Sequence, residues 1–388
     1  MISLEIFTFT LLLVGVPDVT ARAAPSSIVL VPGDGGSRIY QEIDCYLFKF
    51  NDLVWVNYVY MLFPCLFTSR MKLQYDPKTH KTSNWNNNTI LVPGWGSTEM
   101  IEELDQWRHP STTYFYNFVN SLVKDKFYVR NKTVRGAPYD FRRAPNENTE
   151  FFVNLEELIE ETYKLSGNRR VVLLGHSLGS LYSLYFLKLM TNSWKKKYLR
   201  AFISASSPLG GSMKAVKLQT SGTSLGSPRK SIMFRKMQRS FPTSAFLMIR
   251  PEIFGNEPIV ITPKRNYSAS DYEAFFADMS YPDGFMMYED TKNLVNGFET
   301  PEGVDEIYCI YSNGLPTIRQ IKLESFPNGE PSLIYGDGDG TVNIKSLQIC
   351  KNWKNVHHST IENVAHMEIV GTQEFIDLVK TILYKKYN

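Results

Sequence analysis

The stretch Arg170-Val-Val-Leu-Leu-Gly-His-Ser-Leu-Gly-Ser-Leu-Tyr-Ser-Leu-Tyr-Phe-Leu-Lys-Leu-Met190 decides the fold. Val171 to Leu174 is a short apolar run, half of it β-branched and closed by Gly175, which reads as a buried strand of a parallel sheet. After Gly179, the residues Leu181, Leu184, Tyr185 and Met190 recur at helical spacing. Between strand and helix lies Gly175-His176-Ser177-Leu178-Gly179, a G-x-S-x-G pentapeptide in a strand-turn-helix setting. In such an elbow the serine is carried on a strained turn, and the glycines let neighbouring backbone pass without a Cβ clash. Ser177 is therefore the candidate nucleophile, and the helix N-terminus behind it favours a developing oxyanion. A glycine-bounded helix N-cap would use the same residues without any chemistry.

Upstream, the apolar run Ser27 to Val31 enters Pro32-Gly33-Asp34-Gly35-Gly36-Ser37. A glycine-rich turn leaving a central strand is where an α/β hydrolase places the second amide of its oxyanion hole, which makes the backbone N–H groups of Asp34 and Leu178 the candidate donors. A phosphate loop is excluded, because the turn lacks the Lys-Ser/Thr ending. Downstream, a nucleophilic serine needs a carboxylate and then a histidine. His357 and His358 fall in the alternating run Val356 to Thr360, whereas His366 follows it in a loop and is the better candidate. Gly336-Asp337-Gly338-Asp339-Gly340-Thr341 offers two carboxylates in a tight turn. Asp339 is preferred over Asp337 because it directly precedes the Gly-Thr-Val that re-enters regular structure. Calcium binding at this turn is excluded, since Ser346 stands where an EF-hand needs glutamate.

The chain has 388 residues, 43% hydrophobic and 13% aromatic, enough for one α/β core with insertions and too apolar for wholesale disorder. A net charge of +3 gives no electrostatic footprint for nucleic acid. Ile6 to Val16 is an apolar segment too short to span a bilayer, and Ala21-Arg22-Ala23 is an A-x-A-like cleavage site. Residues 1–23 are thus an expected signal peptide, with residues 24–388 as the catalytic domain. The sequons at Asn87, Asn131 and Asn266 agree with a secretory route. Four cysteines in an oxidising compartment allow three pairings, of which Cys45 with Cys65 and Cys309 with Cys350 is favoured. Four unpaired buried thiols are the alternative.

Two segments depart from a simple core. Leu53 to Phe67 is almost uncharged and dense in aromatics. It reads either as an element that dips into lipid headgroups, with Trp55, Tyr58, Met61, Leu62 and Phe63 as contacts, or as a buried helix or strand. Gly210 to Arg239 holds Lys214, Lys217, Arg229, Lys230, Arg235, Lys236 and Arg239 and no acidic residue. A flexible basic insertion at this point of a sheet reads as a lid that meets an anionic surface.

The turn Pro-Gly-Asp-Gly-Gly, the block Arg135-Gly-Ala-Pro-Tyr-Asp-Phe-Arg-Arg-Ala-Pro-Asn-Glu147, the elbow, and Gly-Asp-Gly-Asp-Gly-Thr-Val-Asn followed by a histidine together resemble the lecithin:cholesterol acyltransferase and lysosomal phospholipase A2 family. The likeness runs over almost the whole chain and is nearer the lysosomal, ceramide-acylating type. It implies an α/β-hydrolase fold with a mostly parallel sheet and helices on both faces. It also implies a membrane-binding insertion over 45–70 and a lid or cap over about 211–300. By the same resemblance Ser177, Asp339 and His366 form the triad, and Asp34 and Leu178 the oxyanion hole. The two cysteine pairings follow as well, and neither metal nor cofactor is needed. The implied reaction is transfer of an acyl chain from a glycerophospholipid, through an acyl-serine, to water or a lipid hydroxyl of the ceramide type. The implied partners are an anionic phospholipid surface and a lipid alcohol acceptor, with the chain monomeric and either lysosomal or secreted. Alternatives are a sterol-directed phosphatidylcholine acyltransferase and an inactive lipid-binding protein on the same scaffold.

Overall fold

The computed structural model describes residues 25–45 and 48–385, so the expected signal peptide lies outside the described residues. Six strands build the central sheet: β1 (Ile28–Val31), β2 (Val134–Gly136), β3 (Val171–His176), β4 (Leu199–Ala205), β5 (Glu306–Asn313) and β6 (Val356–Glu362). Their order is β6-β5-β4-β3-β1-β2, and every adjacent pair is parallel. The all-apolar runs of β1 and β3 follow from burial on both faces. Val29, Val31 and Leu173 join one core with helices α2 (Thr149–Leu165) and α3 (Leu178–Leu189). Ile28, Leu30, Val172 and Leu174 join a second core with α1 (Tyr116–Leu122) and α4 (Gln373–Tyr384). Alternate residues of one strand thus face opposite helical layers.

The excursion after β1 begins as a hairpin, Ile39–Cys45 paired with Phe48–Trp55, and continues as short helices Tyr58–Leu62 and Pro64–Met71. Two residues expected at a membrane face point inward instead. Met61 is 3% exposed, and the Trp55 indole donates to the Gly35 carbonyl at 2.7 Å while packing against Phe67 and Phe141. Tyr58 is half-buried, its hydroxyl 3.2 Å from that of Ser111. The outward apolar side chains are Leu62 and Phe63, joined by Val59, Leu66 and, from the hairpin, Phe48 and Phe50.

The basic segment after β4 is not the loose loop expected from its composition. It contains helices Met213–Thr220 and Ile232–Arg239, and much of its charge is spent on backbone oxygens. Arg239 is buried and donates to the Gln219 carbonyl at 2.6 Å, Arg235 to those of Thr220 and Pro327 at 2.8 Å, and Lys217 to that of Gly222 at 2.7 Å. Arg229 and the Ser227 hydroxyl donate to the carbonyls of Leu62 and Met61 at 3.0 and 2.8 Å, so this segment satisfies the open C-terminal end of helix Tyr58–Leu62. Lys214, Lys230 and Lys236 remain exposed.

Cys309 on β5 and Cys350 form a disulfide with Cα atoms 5.8 Å apart. Cys65 is exposed and has no disulfide partner among the described residues, while the side chain of Cys45 lies outside them. Asn87, Asn131 and Asn266 are all exposed.

Backbone meets backbone at the junction of β1 and α3. A Cβ on Gly179 would lie 2.2 Å from the Val31 carbonyl oxygen and 2.4 Å from that of Pro32. Gly179→Ala should therefore cost about 3 kcal/mol through overpacking. The check is the urea midpoint, and an unchanged midpoint would mean that α3 can back away freely.

Candidate active site

Ser177 caps the N-terminus of α3 with φ 55° and ψ −125°, a conformation that strains any residue bearing a Cβ. Its amide donates to the Ala205 carbonyl at the end of β4 at 2.8 Å, which pins the turn between two parallel strands. The Ser177 Oγ lies 2.8 Å from His366 Nε2, and His366 Nδ1 lies 2.6 Å from Asp339 Oδ2. A carboxylate only accepts, so the proton belongs on Nδ1 and Nε2 is left to accept from the serine hydroxyl.

The surroundings explain why these residues meet and their neighbours do not. Asp339 is wholly buried, and its Oδ1 accepts the amides of Thr341 and Val342 at 3.0 and 2.7 Å, leaving Oδ2 for the imidazole. Asp337 is exposed and accepts the Gly314 amide at 2.8 Å, away from the histidine. His366 lies in the loop after β6, and its amide donates to the Asp339 carbonyl at 2.9 Å. His357 and His358 sit exposed on β6.

The turn after β1 rests against the elbow, since a Cβ on Gly33 would come within 2.9 Å of the Ser177 Cβ. Among the described residues the amides of Asp34 and Leu178 donate to no protein acceptor. Both are thus open to an anion beside the serine, the second at the start of a helix. The Asp34 side chain is exposed but walled by protein, and this desolvation raises its carboxyl pKa against the lowering effect of Lys214 and then His366. A cleft of about 60 Å³ opens here, lined by Asp34, Ser177, Leu218, Leu247, Thr341 and Met367 among others.

The block from Arg135 to Glu147 braces the site. Tyr139 donates its hydroxyl to the Pro32 carbonyl at 2.9 Å and its amide to the Ser37 hydroxyl at 3.1 Å. Arg142, wholly buried, donates to Asp140 at 2.7 Å and to the Met71 carbonyl at 2.9 Å. Burial acts to raise the Asp140 pKa, but Arg142 and then Arg143 outweigh it and hold the carboxyl below its usual range. Just beyond the block, Asn148 donates to the Tyr182 hydroxyl of α3 at 2.7 Å. Turn, excursion and nucleophile helix are thus fastened together. Sequence reasoning missed two buried neighbours of the elbow, Tyr114 and His176, whose hydroxyl and ring nitrogen lie 2.5 Å apart. His176 is the second residue of the elbow, where the motif accepts any residue, and nothing near Tyr114 in the chain marks it.

A serine on a strand-to-helix elbow of a parallel sheet, followed in the chain by a carboxylate and a histidine within hydrogen-bond reach, defines the α/β-hydrolase class. The family profile described as "Lecithin:cholesterol acyltransferase" matches residues 49–381, and the chain belongs to that family. A canine protein named lysosomal phospholipase A and acyltransferase is 35% identical, covering 97% of this chain and 95% of its own length. Its human counterpart is 36% identical over 96% and 94%. A chicken phosphatidylcholine-sterol acyltransferase is 37% identical over 91% and 90%. Among solved structures, a chain of the Tle4-Tli4 complex shares the fold with a TM-score of 0.51 at 12% identity, covering 94% of this chain and all of that one.

Asp339→Asn should reduce kcat on a soluble ester by about 10⁴-fold, because the imidazole loses the partner that fixes its tautomer. Asp337→Asn should stay within about threefold, since surface changes away from such features have small effects. Equal losses in the two variants, measured with a p-nitrophenyl ester, would overturn the assignment, and a greater loss in Asp337→Asn would reverse it.

Proposed function

We propose that the chain is a glycerophospholipid acyl hydrolase and O-acyltransferase that passes a fatty acyl chain through an ester on Ser177 to water or to a lipid hydroxyl of the ceramide type. His366 Nε2 takes the Ser177 proton as Oγ attacks the ester carbonyl, and the carbonyl oxygen becomes an oxyanion held by the amides of Asp34 and Leu178. The C–O bond to the glycerol oxygen then breaks, and His366 returns the proton to that oxygen, releasing a lysophospholipid. Water or a second alcohol, deprotonated by the same imidazole, attacks the acyl-serine and restores Ser177. Asp339 keeps the imidazole in its tautomer and balances its transient charge.

The observation that carries this reading is the unbroken contact from Ser177 to His366 to Asp339, at 2.8 and 2.6 Å, on a chain that also exposes Leu62 and Phe63. The names of the canine, human and chicken relatives agree with lipid acyl transfer. Val59, Leu62, Phe63 and Leu66, with Phe48 and Phe50 of the hairpin, are the exposed apolar side chains we assign to the bilayer. Lys230 and Lys236 supply the exposed charge for anionic headgroups. No helix among the described residues is long and apolar enough to cross a membrane. The sequons and the relatives support a secretory-pathway location, lysosomal or extracellular.

The test is incubation with phosphatidylcholine vesicles containing ceramide or cholesterol, from acidic to neutral pH, recording which lipid gains the acyl chain. Acylated ceramide is expected, whereas cholesteryl ester alone would favour the sterol reading. Transfer that persists in Ser177→Ala would end the acyl-serine mechanism. In the same assay Leu62→Asp with Phe63→Asp should lower vesicle turnover at least tenfold, while hydrolysis of a soluble ester stays within about twofold. We also propose the Cys45–Cys65 pairing as a tether of the excursion. Non-reducing peptide mapping should find the two peptides linked, and free thiols at both positions would rule the bond out.

A further inference from the structure

Beneath the three residues of the proposed triad runs a second string of buried polar groups that the acyl transfer above does not use. His176 is wholly buried with both ring nitrogens engaged, Nδ1 lying 2.5 Å from the Tyr114 hydroxyl and Nε2 2.9 Å from the His366 carbonyl. The Tyr114 hydroxyl, itself buried, also accepts the Gly33 amide at 3.0 Å.

Hydrogen-bond chemistry allows one assignment. A carbonyl only accepts, so His176 Nε2 must carry a proton and donate it to His366. In the neutral ring Nδ1 then accepts, the tyrosine O–H donates to it, and the tyrosine oxygen receives the Gly33 N–H. Every donor in the string then meets an acceptor, and none is left over. A second proton on the ring would set an N–H against the hydroxyl and strand the hydroxyl's own hydrogen in a dry site. Burial, and next the neighbouring His366 ring with its centroid 5.1 Å away, push the His176 pKa well below its usual value. Desolvation likewise raises that of Tyr114. The other ring packed against His176 is Phe115, which meets it edge-on and carries no charge.

The ends of this string matter most. Gly33 precedes Asp34, whose amide is a proposed oxyanion donor, His176 precedes Ser177, and the accepting carbonyl belongs to His366 itself. A histidine buried only for packing could satisfy itself on any carbonyl, yet this one joins the three segments on which the chemistry depends. We propose that Tyr114 and His176 are positioning residues that hold the Gly33-Asp34 turn and the His366 backbone in register with Ser177. The inference rests on the triad reading above. Its leverage is geometric, since a misplacement of about 1 Å in a catalytic group can cost 10²-fold in rate.

Tyr114→Phe removes one oxygen and keeps the ring. It leaves the Gly33 amide without an acceptor and His176 Nδ1 without a donor. The expected result on a soluble ester is a 10- to 100-fold loss in kcat with KM changed less than about twofold, and an equal loss in the rate at which a fluorophosphonate modifies Ser177. His176→Asn keeps an acceptor near the Nδ1 position and loses the bond to His366, so it should also lower kcat. The double variant should be no worse than the poorer single, because both cut the same string. A kcat within threefold of the parent in either folded single variant would overturn the proposal, as would a loss that merely tracks the folded fraction seen by circular dichroism. If one variant does not fold, the other is judged by the same thresholds. Ser177→Ala separates the two readings. Label retained in that variant defeats the triad itself, whereas label lost there with full activity in Tyr114→Phe defeats only the positioning role.

Discussion

Backbone lies against backbone where α3 begins, and the geometry of the site is measured from that contact. At Gly179 even a single carbon would fall 2.2 Å from the Val31 carbonyl oxygen, so the helix and the end of β1 approach as closely as peptide groups can. Gly175 is no freer, since a Cβ there would sit 2.6 Å from the Gly179 carbonyl oxygen. Locking two elements at this separation brings the Leu178 amide and the turn holding Asp34 to one spot without any side chain to adjust. The strain appears in Ser177, whose φ of 55° persists because parallel strands on either side leave the chain no other path.

Around that fixed point the polar groups are arranged so that none competes for the wrong partner. Asp339 spends one oxygen on two amides and offers the other to the imidazole, which keeps a buried carboxyl paired and aimed. Arg142 is treated alike. Wholly buried, it is matched by Asp140 and by the Met71 carbonyl, and so ties the block around it to the excursion. Trp55 adds a third tie, reaching from the hairpin to the Gly35 carbonyl in the glycine-rich turn. The segment bearing the exposed apolar face is therefore fastened to the rim of the cleft.

Most of the sheet and the three central residues were legible because their signals are local. A strand, two glycines and a helix announce the elbow, and turn chemistry marks Asp339 as the carboxylate leading back into regular structure. His366 stood out by lying beyond the alternating run that carries His357 and His358. The excursion was harder to read. Leu53 to Phe67 is apolar on every side, so no periodicity tells an inward Trp55 or Met61 from an outward Phe63, and the exposed Phe48 and Phe50 lie before the run begins. Composition misled for the basic segment, because Arg235 and Arg239 answer carbonyls whose positions only the fold creates. Tyr114 was invisible for the same reason, its partner standing 62 residues away.

The spacing along the polypeptide also imposes a timetable. The hydroxyl at 177 exists before half of the protein has been synthesised, but the imidazole it needs comes 189 residues later and follows the outermost strand of the sheet. A growing chain therefore carries that serine without its partner, and the contact at 2.8 Å forms only when the last few dozen residues fold back across the sheet.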